Sequence, residues 1–314
     1  MSDITQTANS VTLATLMGSA PRLRRERLIR LGLLGAALFS IVISALIIYA
    51  LFSEAWVFMR DIDWSTTWGQ VGWYPRRGLY DMPTLLIASA WVTGIAMIVA
   101  GPIGLGAAIY LSEYARPRAR RILKPCLEVL AGIPSVVLGF FALSWIAPTV
   151  VGRIGGEGGR GSIMAAGIGV GILTIPLVAS ISEDAMKAVP DALREASAGM
   201  GARKVTTTLR VVLPASVSGL VAAFIVAVSR ALGETMVVFM AGGAADAALF
   251  TASPYDGSLT MTAAMASLAS GTDAVVGEDL TFQSLFFVGL VLFIMTLLLN
   301  VIGNKFVARV RERY

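Results

Sequence analysis

The sequence contains no histidine and a single cysteine, Cys126. No disulfide can close within the chain. Metal sites built on Cys and His clusters are excluded, and so is nucleophilic catalysis by a Ser-His or Cys-His pair. Charge is also scarce: Asp, Glu, Lys and Arg make up 14% of 314 residues, against about 25% in a soluble domain. No Gly-Lys pair occurs anywhere, so the phosphate-cradling loop that ends in Gly-Lys-Ser/Thr is missing. The glycine-rich "GRIGGEGGRGS" (152–162) is read instead as a flexible connector.

What is abundant is apolar. Hydrophobic residues reach 56% and mean hydropathy is +0.76. Six apolar runs are long enough to cross hydrocarbon as helices, near 31–52, 83–110, 127–148, 162–181, 215–241 and 282–302. The predicted fold class is all-α, a polytopic membrane protein of six transmembrane helices. The first run follows Arg22, Arg24, Arg25, Arg27 and Arg30, as a signal peptide would. It is about twice as long as a signal h-region, so it is read as a retained span. The expected layout is an N-terminal arm (1–30), a transmembrane domain (31–304) and a tail (305–314). Residues 1–21 are polar and expected to be disordered.

The basic residues set the topology. Beyond the arm they gather after the second run (Arg116, Arg118, Arg120, Arg121, Lys124), after the fourth (Lys187, Arg194, Arg203, Lys204, Arg210) and in the tail (Lys305, Arg309, Arg311, Arg313). The alternate loops hold only Arg60, Arg76, Arg77, Arg153 and Arg160. The positive-inside rule puts both termini in the cytoplasm. The outside loop at 243–281 then carries acids alone, Asp246, Asp256, Asp273, Glu278 and Asp279. Trp56, Trp64, Trp68 and Trp73 in the loop at 53–82 are read as interfacial anchors ahead of a ligand-stacking surface. The small residues of "GPIGLG" (101–106) and "GIGVG" (167–171) suit close helix packing. Pro134 and Pro176 are expected to kink their spans.

Between the fourth and fifth runs lies "VPDALREASAGMGARKVTTTLRVVLP" (189–214). It is too polar to insert. Pro190 and Asp191 suit a first helical turn, and Gly199 and Gly201 suit a stop. A short helix from about 191 to 200 would align Ala192, Ala196 and Gly199 as a face with almost no bulk, open to close approach by another protein. It lacks the large apolar stripe of a helix that lies on lipid.

This segment resembles the cytoplasmic signature of ABC-importer permeases: Glu-Ala-Ala, three residues, Gly, nine residues, Ile-x-Leu-Pro. Glu195, Ala196 and Ser197 fill the triplet, Gly201 the glycine, and Val211, Leu213 and Pro214 the ending. Ser197 and Val211 are mild departures. The resemblance implies the type I importer permease fold and makes 191–201 the coupling helix that docks on an ATPase subunit. The stretches "IYLSEYARPRARRILKPCLEVLAGIPSVVLGFFAL" (109–143) and "SRALGETMVVFMAGG" (229–243) resemble the permeases of the phosphate-specific transport system, of the C type (PstC-like). Together these matches cover most of residues 80–245. They imply import of inorganic phosphate across a bacterial inner membrane, with a second, PstA-like permease, two ATPase subunits and an external phosphate-binding protein as partners. The chain itself is expected to be no enzyme and to hold no cofactor. ATP and Mg would sit on the ATPase partners; beyond lipid and these proteins no nucleic acid partner is expected.

Three ionisable residues fall within the expected spans: Glu128, Arg230 and Glu234. A charge at the bilayer centre costs about 2.5–3.5 kcal/mol on insertion scales, so such residues face a cavity or a partner. Arg230 and Glu234 are spaced i, i+4 and share a face on a continuous helix. A guanidinium fits oxyanions in a fork and stays charged when partly buried. A neighbouring glutamate would neutralise it between anions and keep binding weak. Two readings stay open: a substrate path, or a structural ion pair with Glu128 as a third member. For Glu128, packing or gating comes ahead of substrate contact. Rival functions are an ABC permease for phosphonate, sulfate or molybdate, a secondary transporter, and a membrane scaffold. The secondary transporter lacks support from internal repeats between 31–148 and 162–302.

Overall fold

The computed structural model describes residues 20–65, 67–69, 71–155, 161–243, 249–271 and 280–311. The polar stretch 1–19, residues 156–160 of the glycine-rich connector, the loop acids Asp246, Asp273, Glu278 and Asp279, and residues 312–314 lie outside the described residues.

Apolar sequence in hydrocarbon must satisfy its backbone groups within itself, and a helix does so within one segment. Among the described residues six helices are long and apolar enough to cross: Arg25–Asp61, Met82–Tyr114, Ser135–Arg153, Ile163–Lys187, Lys204–Leu232 and Thr281–Arg309. Among the described residues the only β pairing is an isolated bridge between Tyr74 and Leu79. The chain divides into two units, Met1–Ser53 and Glu54–Tyr314. Helix α1 (Ala20–Asp61) supplies the described residues of the first, while its last turns from Glu54 belong to the second; its side chains from Arg25 to Ala50 are all exposed. A helix that is apolar all round and exposed is suited to hydrocarbon.

In the second unit, α2 (Met82–Ile109) runs on through a π turn at Tyr110–Tyr114. It is followed by α3 (Pro117–Ala131), α4 (Ser135–Phe141), α5 (Ile163–Lys187) and α6 (Asp191–Gly199). A turn of helix at Lys204–Thr207 and a π turn at Thr208–Val212 lead into α7 (Leu213–Leu232). The last elements are α8 (Met236–Ala241), α9 (Met261–Ala269) and α10 (Thr281–Arg311).

The spine of this unit is the parallel pair α2 and α5. Gly167 and Gly171 of α5 lie on Ile95 and Val99 of α2, and Gly104 of α2 lies on Val178 of α5. A Cβ at these glycines would come within 2.7–2.8 Å of those side chains. The glycines therefore permit close backbone approach, as the small-residue runs suggested. Around the pair, Val92, Leu138, Ile146, Val170, Leu173 and Val237 join α2, α4, α5 and α8 in one core.

Five expectations change. The third span does not start at 127: Leu127 and Glu128 belong to α3, and the crossing helix starts at Ser135. Pro134 breaks the chain rather than kinking it, because it has no N–H and disfavours helical backbone at Ile133. Pro176, by contrast, stays inside α5. The fifth span is also interrupted, with α7 ending at Leu232, Gly233 at its C-cap and α8 resuming at Met236. The segment 243–281 is more than a loop, since α9 lies in it with Met261, Ala263, Ala264 and Leu268 buried. Finally, Trp73 is 2% exposed and packs edge-on against Tyr80. It is a core residue, whereas Trp68 is exposed as an anchor would be.

Candidate functional site

The break after α7 decides what Arg230 and Glu234 can do. Arg230 sits in the last turn of α7 and is exposed. Glu234 follows the Gly233 cap and is buried. Its carboxylate accepts a 3.5 Å hydrogen bond from the Val237 N–H, and its backbone carbonyl accepts one of 2.7 Å from the Thr262 hydroxyl. Non-helical backbone at membrane depth needs such internal partners. Ser89, Thr260 and Thr262 line the nest around Glu234, which has no room for a water molecule. The ion pair expected from the i, i+4 spacing is not formed. Among the described residues Arg230 has no carboxylate partner. The spacing places two residues on one face only while the helix continues, and it stops between them.

Arg230 instead lines a cavity of about 330 Å³. Helix α3 contributes Lys124, Leu127, Glu128 and Ala131; α5 contributes Leu173, Pro176, Leu177, Ser180 and Glu183. Leu173 and Pro176 lie about 15–20 Å along α5 from Ile163 at 1.5 Å per residue, near the middle of a bilayer. Glu183 lies about 30 Å along, at the far edge of the hydrocarbon. The cavity therefore runs from mid-depth toward the basic end of the bundle. Glu128 faces it from α3, joining Arg230 and leaving Glu234 elsewhere.

At that end the Glu183 carboxylate is 1% exposed and meets three cations. Arg120 is 2.9 Å away, Lys124 is 3.6 Å away, and Lys187 completes the group. None of these four stood out as a site in the sequence. The signal was the i, i+4 pair Glu183 and Lys187 at the end of a span, opposite the "RARRILK" run.

Helix α6 forms where its local signals put it, ends at Gly199, and is followed by Gly201 at φ +75°, a backbone that glycine adopts without cost. Glu195, Ala196 and Gly201 are exposed. Ser197 faces inward, its hydroxyl 2.9 Å from that of Thr207. Leu213 and Pro214 open α7, with Leu213 against Val189 and Val212. Arg194 ties α6 to the bundle. Its guanidinium donates to the Met186 carbonyl at 2.9 Å and the Val189 carbonyl at 2.6 Å, at the end of α5. It also meets Glu113, at the end of α2, at 3.1 Å. Sequence reasoning used Arg194 only as a topology charge.

Six apolar spans, two of them a glycine-packed pair, with a short helix after the fourth span among basic residues, define the type I ABC importer permease fold. A solved bacterial ABC transporter involved in the import of alginate shares it, with TM-score 0.62 and 13% identity over 92% of this chain and 99% of that one. Residues 100–314 match the model of the binding-protein-dependent transport system inner membrane component, and the chain belongs to that family. It is 32% identical over 257 residues to the phosphate transport system permease protein PstC 1 of Mycobacterium bovis, covering 76% of this chain and 75% of that protein. It is 31% identical over 241 residues to the probable ABC transporter permease protein YqgH of Bacillus subtilis, covering 77% and 74% respectively. The protein is thus a multi-pass membrane component of a transport system.

Proposed function

We propose that this chain is the C-type permease subunit of an ATP-driven importer that carries inorganic phosphate across the bacterial plasma membrane. The observation that carries the reading is the unpaired Arg230 guanidinium in a cavity at mid-depth. An arginine without a carboxylate partner there is costly unless an anion visits it. Phosphate, with several acceptor oxygens, matches its fork. Similarity to PstC 1 over three quarters of both chains supports phosphate as the cargo.

The remaining residues take roles around that step. Glu128 faces Arg230 across the cavity and lowers its positive potential, which keeps the anion loosely held. Glu234 seals the α7–α8 break and does not mask Arg230. The exposed face of α6, with Glu195 and Ala196, and Gly201 in the turn after it receive the ATPase subunit; Ser197 ties α6 to Thr207 in the turn that leads toward α7, and Leu213 and Pro214 open α7 at the same end. ATP and Mg belong to the two ATPase partners. A second permease completes the membrane unit, and an external binding protein delivers phosphate. The basic end, with α6, faces the cytoplasm together with both termini.

The test is uptake of radiolabelled phosphate by the reconstituted complex, with competition by sulfate, molybdate and a phosphonate. Wild-type uptake should depend on ATP and be displaced by unlabelled phosphate first. Arg230→Gln should abolish uptake while the complex still assembles and hydrolyses ATP. Normal uptake by that variant removes Arg230 from the path; preferential displacement by another oxyanion changes the cargo.

A further inference from the structure

We infer that Arg120, Lys124 and Lys187 form an oxyanion-binding site at the inner mouth of the cavity, and that the Glu183 carboxylate occupies it as a built-in counter-anion when no cargo is leaving. The inference rests on the proposed function and adds the step by which cargo is released.

Three cations from two helices converge on one carboxylate. Arg120 Nη2 is 2.9 Å from Glu183 Oε1, Lys124 Nζ is 3.6 Å from Oε2, and Lys187 Nζ reaches Oε1. Asp184 adds a contact to Lys124 at 3.9 Å, but its side chain is largely in solvent. A structural ion pair needs one cation for one acid. Here three cations face Glu183 and the more distant, solvent-exposed Asp184, so the positive charge still exceeds the acid, and such an excess of donors suits an anion with more charge and more oxygens.

Access and continuity point the same way. The three cationic side chains are 39%, 35% and 26% exposed, whereas Glu183 is 1% exposed. An incoming anion reaches the exposed cationic side chains first and then competes with the buried carboxylate for them. Lys124 and Glu183 line the same cavity as Arg230, so an anion moving from Arg230 toward the end of α5 meets this group next. An oxyanion can replace the carboxylate on the guanidinium and both ammonium groups together, while chloride offers no fork to a guanidinium. Glu183 then competes the oxyanion off again, so the exit binds cargo without trapping it.

The experiment uses the full complex in proteoliposomes, with phosphate added on the face that carries α6. The readout is the concentration of internal phosphate that halves uptake. Glu183→Gln removes the competitor, and this concentration should fall by about tenfold or more, the change that losing one charge-assisted contact brings. Glu183→Asp should keep the wild-type value. Should Glu183→Gln fail to assemble, Glu183→Gln with Lys187→Gln removes one cation with the anion; it should assemble and still show a lowered value. Internal sulfate should act as phosphate does, and internal chloride should have no effect. An assembled variant with the wild-type value, or equal sensitivity to chloride, overturns the inference and leaves Glu183 as a packing group. The functional reading fails separately: a wild-type complex that imports sulfate and not phosphate changes the cargo but leaves the exit site to be read with sulfate.

Discussion

Replacing Arg194 with alanine should uncouple ATP hydrolysis from transport. The side chain is 21% exposed and its partner Glu113 is 7% exposed. Removing it strands the Glu113 carboxylate and frees the Met186 and Val189 carbonyls at the end of α5. Breaking a fully buried pair costs about 3–5 kcal/mol. Solvent reaches this one, and water can take over the carbonyls, so about 2–3 kcal/mol is the fitting discount. That equals a shift of about 30- to 150-fold between docked and loosened positions of α6. The loss falls on the joint between α6 and the ends of α2 and α5, not on any surface that would meet an ATPase. Hydrolysis and phosphate uptake, measured in the same proteoliposomes, should therefore separate: hydrolysis persists while uptake falls by about tenfold or more. Glu113→Gln cuts only the arm to α2 and should give a partial defect. Unchanged uptake per ATP hydrolysed in Arg194→Ala would falsify the role of this joint.

Two further outcomes follow from packing. Gly167→Leu puts a side chain where even a Cβ would lie 2.7 Å from Ile95. Overpacking of this kind costs about 1–3 kcal/mol or more, and the melting temperature of the purified subunit in detergent should drop; no drop would mean that α2 and α5 are not in the contact described. Thr262→Val removes the hydroxyl that donates to the Glu234 carbonyl at 2.7 Å. An unsatisfied buried carbonyl costs about 1–3 kcal/mol, and hydrogen exchange at Gly233–Thr235 should rise while phosphate competition in uptake assays keeps its order. Unaltered exchange would show that the break is held by other groups.

How far the sequence alone reaches depends on where each signal resides. Helix α6 was legible almost to the residue because Pro190, Asp191, Gly199 and Gly201 are local punctuation. The α2–α5 contact was legible as small-residue runs, though not as a partner choice. The two breaks were not visible. Gly132–Ile133–Pro134 and Gly233–Glu234–Thr235 are three residues each inside apolar sequence, and hydropathy averaged over a span does not register them. Without these breaks, Arg230 and Glu234 would share a face and Glu128 would fall in a crossing helix. Glu183 escaped notice for another reason. It sits at a span end beside Lys187, where an acid is unremarked, and the cations that make it unusual, Arg120 and Lys124, come from α3, far upstream in the chain.

The glycines between α2 and α5 have a mechanical consequence. Two helices seated backbone to backbone along their length bend together, as one beam. Arg194 fastens α6 to the same end of that beam at both helices, so a push on α6 loads both members at once. The wall opposite, α3, is built otherwise: it joins α4 through the Gly132–Pro134 break and meets α5 through charges rather than through interlocked backbone. The cavity that holds Arg230 thus has one stiff side and one hinged side.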